Sequence, residues 1–337
     1  MKLVIPLAGF GSRMRPHTWT KPKPLIQVAG KPFIGHLLDK FADLDIDELI
    51  IIYGWLGDQI QDYVQEHYAH LNPWFVEQKE LLGQSHAIWQ ARERLSGEGF
   101  LVYVDTFFEA DLSVIASTTA DGIAFVKEVD DPRRFGVVEE DSEGYITRFI
   151  EKPSTTENKK VIMGLYWFRE LAWLLRAIEA QMESGAMLKG EFFLAGAYQI
   201  MVDQGAKLTT YPVDVWQDTG KPETTLQANQ YLLDHGHDNS AEVEVAHGVI
   251  LPPCHIAPGV TIENAIVGPY ANVESGAVIR NAIVRNSLIG PDARVEDIYL
   301  EGSLIGDKAQ IVGQPTRLNV GNSAAVGLEY KVDESWG

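Results

Sequence analysis

The sequence predicts an α/β protein in two parts: a mostly parallel sheet with helices on both faces, then a short solenoid of parallel strands. Three observations carry this reading. Over the first two thirds of the chain, short apolar runs alternate with stretches whose apolar residues recur at helical spacing. Beyond about residue 239 that texture stops, and one short pattern returns three times. Between the two parts, residues 235–245 read HGHDNSAEVEV, a polar and acidic stretch suited to a boundary.

In chain order, LVIPLAG (3–9) reads as the first buried strand and ELIIIYGW (48–55) as the second, with a helical period in PFIGHLLDKFADL (32–44) between them. A helix around Ser85 to Arg94 follows, then strands in FLVYVD (100–105) and GIAFVKEV (122–129), and a hairpin turning at Asp141 to Gly144. Ligands of such sheets sit beyond the carboxyl ends of the strands, so the glycines after LVIPL stand where a ligand would lie. In the tail, IVGPYANV (266–273), LIGPDARV (288–295) and LIGDKAQI (304–311) share one pattern, and HIAPGVTI (255–262) is a looser copy. Aliphatic residues fall five or six apart from Ile256 to Ile311, as expected if every coil turns them inward. The spacing resembles the hexapeptide repeat of left-handed parallel β-helices.

Composition narrows the function. The 337 residues carry a formal net charge of −19, which argues against nucleic acid and anionic membrane partners. No apolar segment approaches the roughly 20 residues that cross a bilayer. The start, MKLVIPLAGF, lacks the apolar core and cleavage site of a signal peptide. The single Cys254 can form no intramolecular disulfide, which fits a cytoplasmic location.

Against that acidic background, PLAGFGSRMRPHTWTKPKPL (6–25) gathers Arg13, Arg15, Lys21 and Lys23, and no Asp or Glu occurs in the first 38 residues. A local positive cluster on an acidic protein points to a small anion, a phosphate above all. Glycines let backbone N–H groups approach phosphate oxygens, and the planar guanidinium of Arg13 matches them in a fork. A Gly-x-Gly turn alone is equally a structural turn, and Arg15 and Lys21 are equally surface charges. The combination of Gly9, Gly11, Arg13 and a lysine ten residues on, in a loop stiffened by Pro16, Pro22 and Pro24, favours the phosphate.

These residues resemble the signature of the sugar-1-phosphate nucleotidylyltransferases. The resemblance implies a Rossmann-like domain over 1–238 and a left-handed β-helix over 246–320. It implies that Leu7, Ala8, Gly9, Gly11 and Ser12 wrap nucleotide phosphates, with Arg13 and Lys23 as catalytic cations. EQKELLGQSHAI (77–88) resembles the family's base-recognition loop, giving Gln78 and Gly83 to the nucleobase. VYVDTFFEADL (102–112) and VDVWQDTGKPETTLQAN (213–229) resemble its metal motifs, giving Asp105 and Asp218 to Mg²⁺, with Asp111 as a fallback. DPRRFGVVEEDSEGYITRFIEKP (131–153) resembles the sugar-binding section, with Gly136, Glu151 and Lys152, the last also gripping the phosphate. Gly164 and Glu191 fall in further parts of that pocket. Two departures stand out: a lone Gly9 follows Ala8 where many members have two adjacent glycines, and Val104 replaces a glycine before Asp105. The lone glycine and QKELLGQSHA lean toward UTP, while KPKPL and the repeat tail also suit dTTP. The expected partners are a nucleoside triphosphate and a sugar 1-phosphate, and the expected assembly is a homo-oligomer. Two alternatives remain: a non-catalytic regulatory protein that binds nucleotide-sugars, and a bifunctional enzyme with acyltransferase activity in the β-helix.

Overall fold

The computed structural model describes residues 1–185 and 187–314, and for Asp218 the backbone alone; residues 315–320 of the expected solenoid lie outside the described residues. The sheet domain contains β1 (Lys2–Pro6), β2 (Gln27–Val28), β3 (Lys31–Pro32), β4 (Glu48–Tyr53), β5 (Pro73–Glu77), β6 (Gly99–Val102) and β7 (Thr106–Glu109). It continues with β8 (Gly122–Glu128), β9 (Gly136–Glu140), β10 (Ile146–Glu151), β11 (Lys160–Phe168), β12 (Leu208–Pro212) and β13 (Val215–Asp218). The main sheet runs β10-β9-β11-β6-β1-β4-β5, with β8 also on β11 and β12 on β8. Strand β1 is parallel to β4 and β6, and β4 to β5. The long β11 runs antiparallel to β6 and β8, an insertion the apolar runs did not announce. Strands β9 and β10 form the expected hairpin, closed by the Asp141 N–H donating to the Tyr145 carbonyl.

The helices are α1 (Phe33–Asp39), α2 (Gly57–Tyr68), α3 (Gln84–Gln90), α4 (Leu171–Ser184), α5 (Leu194–Asp203) and α6 (Pro222–Leu232). Successive strand residues point to opposite faces, so each run feeds two cores. Leu3, Ile5, Leu49 and Ile51 pack with Ile34 and Leu37 of α1 and Ile60 and Val64 of α2. Val4, Ile50 and Ile52 pack instead with Ile88 of α3, Leu174 and Ile178 of α4 and Tyr198 of α5. Coverage on both faces is why ELIIIY contains no alternating polar residue. Helices α1 and α3 are shorter than their apolar period. Beyond Asp39 the N–H groups of Phe41, Ala42 and Leu44 bond three residues back, and Ala91, Arg92 and Arg94 do the same after Gln90, so both helices end in tightened turns.

The tail is a parallel coil, consistent with the left-handed β-helix that the repeat spacing resembles. Its inward aliphatics stack in register: Ile256, Val273, Ile289 and Ile305 on one face, Ile262, Ile279, Val295 and Ile311 on the second, Val267, Val284 and Leu300 on the third. The five-or-six spacing is therefore the distance from one face to the next. One corner repeats as Asn264, Asn281 and Asp297, with φ of 49°, 47° and 55°. Asn and Asp tolerate that left-handed conformation best among residues with a side chain.

The first face docks onto the sheet domain. Leu288 joins Met14, Ile26, Val28, Phe33 and Leu232 in a shared core. The Gly30 N–H donates to Asn272 Oδ1 at 2.8 Å, and the Ala29 N–H to Asn229 Oδ1 at 2.9 Å. Gly30 has φ +82°, and a Cβ there would lie 2.2 Å from His255 Nε2, so the joint requires glycine. The solenoid thus backs the segment that carries Lys23.

Candidate active site

A cleft of about 620 Å³ opens at the carboxyl ends of β1 and β6. Leu7, Ala8, Gly9, Gly11, Ser12, Arg13, Lys23, Gln78, Gly83, Asp105, Gly136, Glu151, Gly164 and Glu191 all line it. Of the other residues singled out in the sequence whose side chains are described, Arg15, Lys21, Asp111 and Lys152 lie outside the lining.

The phosphate-loop end is built from two segments that touch. The Leu7 N–H still bonds the Ile52 carbonyl, after which the chain leaves the sheet. Gly11 takes φ +60°, and its carbonyl accepts from the Met14 N–H and from Thr18 Oγ1 at 2.9 Å. That turn starts the 3-10 segment Ser12–Met14, which carries Arg13. A Cβ on Gly11 would come within 3.1 Å of Lys23 Cβ, so the glycine is what lets the two segments meet. Around Gly9 an added Cβ would meet nothing within 4 Å. The fold does not require glycine there; the backbone is simply left open to the cleft. Lys23 opens a 3-10 turn between Pro22 and Pro24, and its Nζ stands 3.4 Å from Asp105 Oδ2.

Asp105 lies between β6 and β7. Strand β13 pairs with β7 so that Asp218 is opposite Thr106, and the Thr219 N–H donates to the Asp105 carbonyl at 3.1 Å. Two sequence-distant aspartates are thereby brought to adjacent rungs at one end of the cleft. Val104 packs against the sheet core, so the residue that departs from the family pattern fills space there. Asp111 has another occupation: its carboxylate caps the 3-10 turn Leu112–Ala116 by accepting from the Ser113 N–H at 2.9 Å, which holds its pKa below the usual carboxylate value. Asp111 lies outside the cleft lining.

At the other end, Gly136 and Glu151 face each other across the β9–β10 ladder. A Cβ on Gly136 would stand 3.2 Å from Glu151 Oε2. Gly164, with φ +85°, sits where the β11–β8 register shifts, and the Tyr103 ring occupies the space its Cβ would need. Burial pushes the Tyr103 phenol far above its ordinary pKa, reinforced by Tyr166 and the Asp105 and Glu151 carboxylates, so it remains a neutral donor. Lys152 has φ +50° and is half exposed, with Nζ 3.5 Å from Glu151 Oε1 and 5.0 Å from the Phe193 ring centroid. It stands at the rim, one residue from the wall.

Sequence reasoning passed over Arg134, Tyr103, Thr106 and Trp216, which also line the cleft. The Arg-Arg doublet before Phe135 and Gly136 was a signal for Arg134, a further cation on the cleft wall. The aromatics had none, since Tyr and Trp in apolar runs read as core. Among the described residues no three His, Cys, Asp or Glu cluster as a metal cage. No described helix is long and apolar enough to cross a membrane.

A nucleotidyl transferase family model matches residues 2–235. The bifunctional protein GlmU of Methanocaldococcus jannaschii is 30% identical, over 95% of this chain and 84% of its own. A glucose-1-phosphate thymidylyltransferase of Streptomyces antibioticus is 26% identical, over 92% of this chain and 93% of its own. Among solved structures, a UDP-glucose pyrophosphorylase complexed with UDP-glucose superimposes with a TM-score of 0.60 at 18% identity, over 69% of this chain and 98% of that one. That last likeness speaks for the fold. With the family model spanning most of its length and a full-length relative at 30% identity, the chain belongs to the nucleotidyl transferase family.

Proposed function

We propose that the protein transfers a nucleotidyl group from UTP or dTTP to a sugar 1-phosphate, glucose 1-phosphate first among them, giving a nucleotide-sugar and pyrophosphate. The observation that carries this is one cleft lined by the cations Arg13 and Lys23 beside the Asp105 carboxylate and, elsewhere on its wall, by the carboxylates Glu151 and Glu191. We assign residues 1–238 to this activity and 246–320 to the β-helix.

An oxygen of the sugar phosphate attacks the α-phosphorus as the bond to the β-phosphate breaks, and the electron pair leaves with pyrophosphate. The nucleophile is already anionic, so no general base is needed. What the protein must supply is juxtaposition of two polyanions and compensation of the charge that moves. Arg13 and Lys23 do this at the triphosphate, and Lys152 at the sugar phosphate. The open backbone at Gly9 leaves N–H groups free to approach the phosphates, Gly11 makes the turn that carries Arg13 to them, and Gln78 and Gly83 meet the base. Gly136, Glu151, Gly164 and Glu191 shape the sugar pocket, the carboxylates accepting from sugar hydroxyls. Nucleotidyl transferases generally use a divalent metal. Asp105 and Asp218 fit Mg²⁺, whose preference is for one or two carboxylates plus phosphate oxygens and water, and the ion when bound neutralises phosphate charge.

A pyrophosphate-release screen of UTP, dTTP, CTP, GTP and ATP against glucose, mannose and N-acetylglucosamine 1-phosphates tests the reading. Turnover with UTP or dTTP and glucose 1-phosphate is expected; silence across the screen with Mg²⁺ present sinks it. The regulatory alternative is disfavoured because Arg13, Lys23 and Asp105 are all in place. For acyl transfer, the solenoid's histidines are poorly supplied: His255 is taken up against Gly30 at the joint and His247 sits at the first coil. We read the solenoid as a buttress, which an assay with acetyl-CoA and sugar phosphates checks by giving no product.

A further inference from the structure

Gln78 is held in an arrangement that leaves its amide only one sensible orientation. Its Nε2 lies 3.2 Å from the Gly83 carbonyl oxygen and 3.2 Å from His86 Nδ1, with Gln78 only 5% exposed and His86 only 9%. On the far side of the imidazole, Gln90 Nε2 lies 3.0 Å from His86 Nε2 and 3.3 Å from the His86 carbonyl. A neutral imidazole has one N–H and one lone pair, so two amide nitrogens cannot both donate to it. One of the two amides must present its oxygen.

The Gly83 carbonyl decides which. If Gln78 turned its oxygen toward His86, that oxygen would also stand against the Gly83 carbonyl oxygen, two acceptors with no proton between them. With nitrogen on that side, one amide hydrogen goes to Gly83 and the other to His86 Nδ1, and both bonds are made. Gln90 is the freer partner: it is only partly buried, so water can meet its amide nitrogen and the His86 carbonyl when it turns, whereas Gln78 is buried. His86 therefore carries its proton on Nε2, donating to the Gln90 oxygen, and Gln78 Oε1 points away from both of its partners. No described residue donates to that oxygen, and Gln78 lines the cleft.

We propose that His86 is a positioning residue: by accepting from Gln78 Nε2 it fixes the Gln78 oxygen toward the nucleobase, so that the site takes a base with an imide N–H, uracil or thymine, and rejects cytosine, which has a lone pair at that ring position. The proposal rests on the reading of Gln78 as the base-recognition residue. Without His86, the Gly83 carbonyl alone opposes rotation of the amide, and a turned amide offers cytosine an N–H.

The test compares kcat/KM for UTP, dTTP and CTP in the wild type and in His86→Leu, His86→Asn and Gln78→Ala. His86→Leu is expected to lower the preference for UTP over CTP about tenfold, the worth of one hydrogen bond of about 1.4 kcal/mol, mainly through KM. His86→Asn, whose side-chain oxygen can stand near the position of Nδ1, is expected to restore most of it. A preference unchanged in His86→Leu but lost in Gln78→Ala overturns the positioning role alone. A preference unchanged in Gln78→Ala overturns the base-reading role as well, and a wild type without UTP or dTTP turnover overturns both together with the proposed activity. Should His86→Leu fail to fold, ¹⁵N spectra of the wild-type imidazole decide: a protonated Nε2 with a lone pair on Nδ1 is expected, and the opposite tautomer overturns the proposal.

Discussion

Lys23 is held from three sides: Pro22 and Pro24 restrict its backbone, Gly11 flanks its stem, and Asp105 stands 3.4 Å from its ammonium. Nothing in the core depends on its charge. Lys23→Ala is therefore expected to keep the wild-type melting temperature within a few degrees and to lose on the order of 10²-fold or more in kcat, read by pyrophosphate release. The two loop glycines separate fold from function in the same way. Gly11→Ala sets a Cβ into a left-handed turn against Lys23 and Thr18, and should cost about 1–3 kcal/mol in chemical denaturation. Gly9→Ala places its Cβ in open space, so stability should stay within about 0.5 kcal/mol while KM for the triphosphate rises. Equal stability losses in both would contradict the distinct parts given to them. The sequence displayed both glycines identically; only the dihedral angle and the neighbouring side chains distinguish them.

At the scale of elements, the joint between solenoid and sheet domain is apolar at its centre and charged at its edge. Leu288→Ala, in the shared core, should destabilise by about 2–5 kcal/mol, whereas breaking the half-exposed Lys21–Asp307 pair should cost under about 1 kcal/mol. The joint also holds four histidines with lowered pKa, one of them His17, which burial lowers against the pull of Asp307, with Lys21 assisting. Burial takes His36 down to about 4, assisted by His237 and Lys31 and opposed by its bond to the Val28 carbonyl and by Asp39. His237 is lowered by burial and by Lys31 and Lys40, and His255 by burial and by His237. For each, the unfolded chain binds the proton more tightly than the folded one. The stability this contributes is full above about pH 6.5 and is lost as pH falls toward 4. The melting temperature should therefore drop between pH 7 and pH 5, before most carboxylates titrate, and drop less in His36→Asn. The strands and coils that meet here were legible as apolar runs and as a repeat. The joint itself was not, because Gly30, His36 and His255 are remote in sequence and no local pattern pairs them.

Over the whole molecule, a chain with a formal net charge of −19 gathers four cations in one loop and lines its cleft with two of them, Arg13 and Lys23. That contrast was legible from the first 38 residues, as were the fourteen residues that now line one cleft, because strand ends bring their motifs together. What escaped was Arg134, despite its Arg-Arg doublet, and Tyr103 and Trp216, whose residue types read as core outside the fold. On the proposed metal role of Asp105 and Asp218, chelation with EDTA should abolish turnover and added Mg²⁺ restore it, read by pyrophosphate release. The most direct test of the central claim is a crystal structure of the protein with a nucleoside triphosphate and Mg²⁺. The α- and β-phosphates are expected beside Arg13 and Lys23, with the ion on Asp105 and Asp218. A triphosphate bound elsewhere, with those two cations facing solvent and neither aspartate at the ion, would contradict the account.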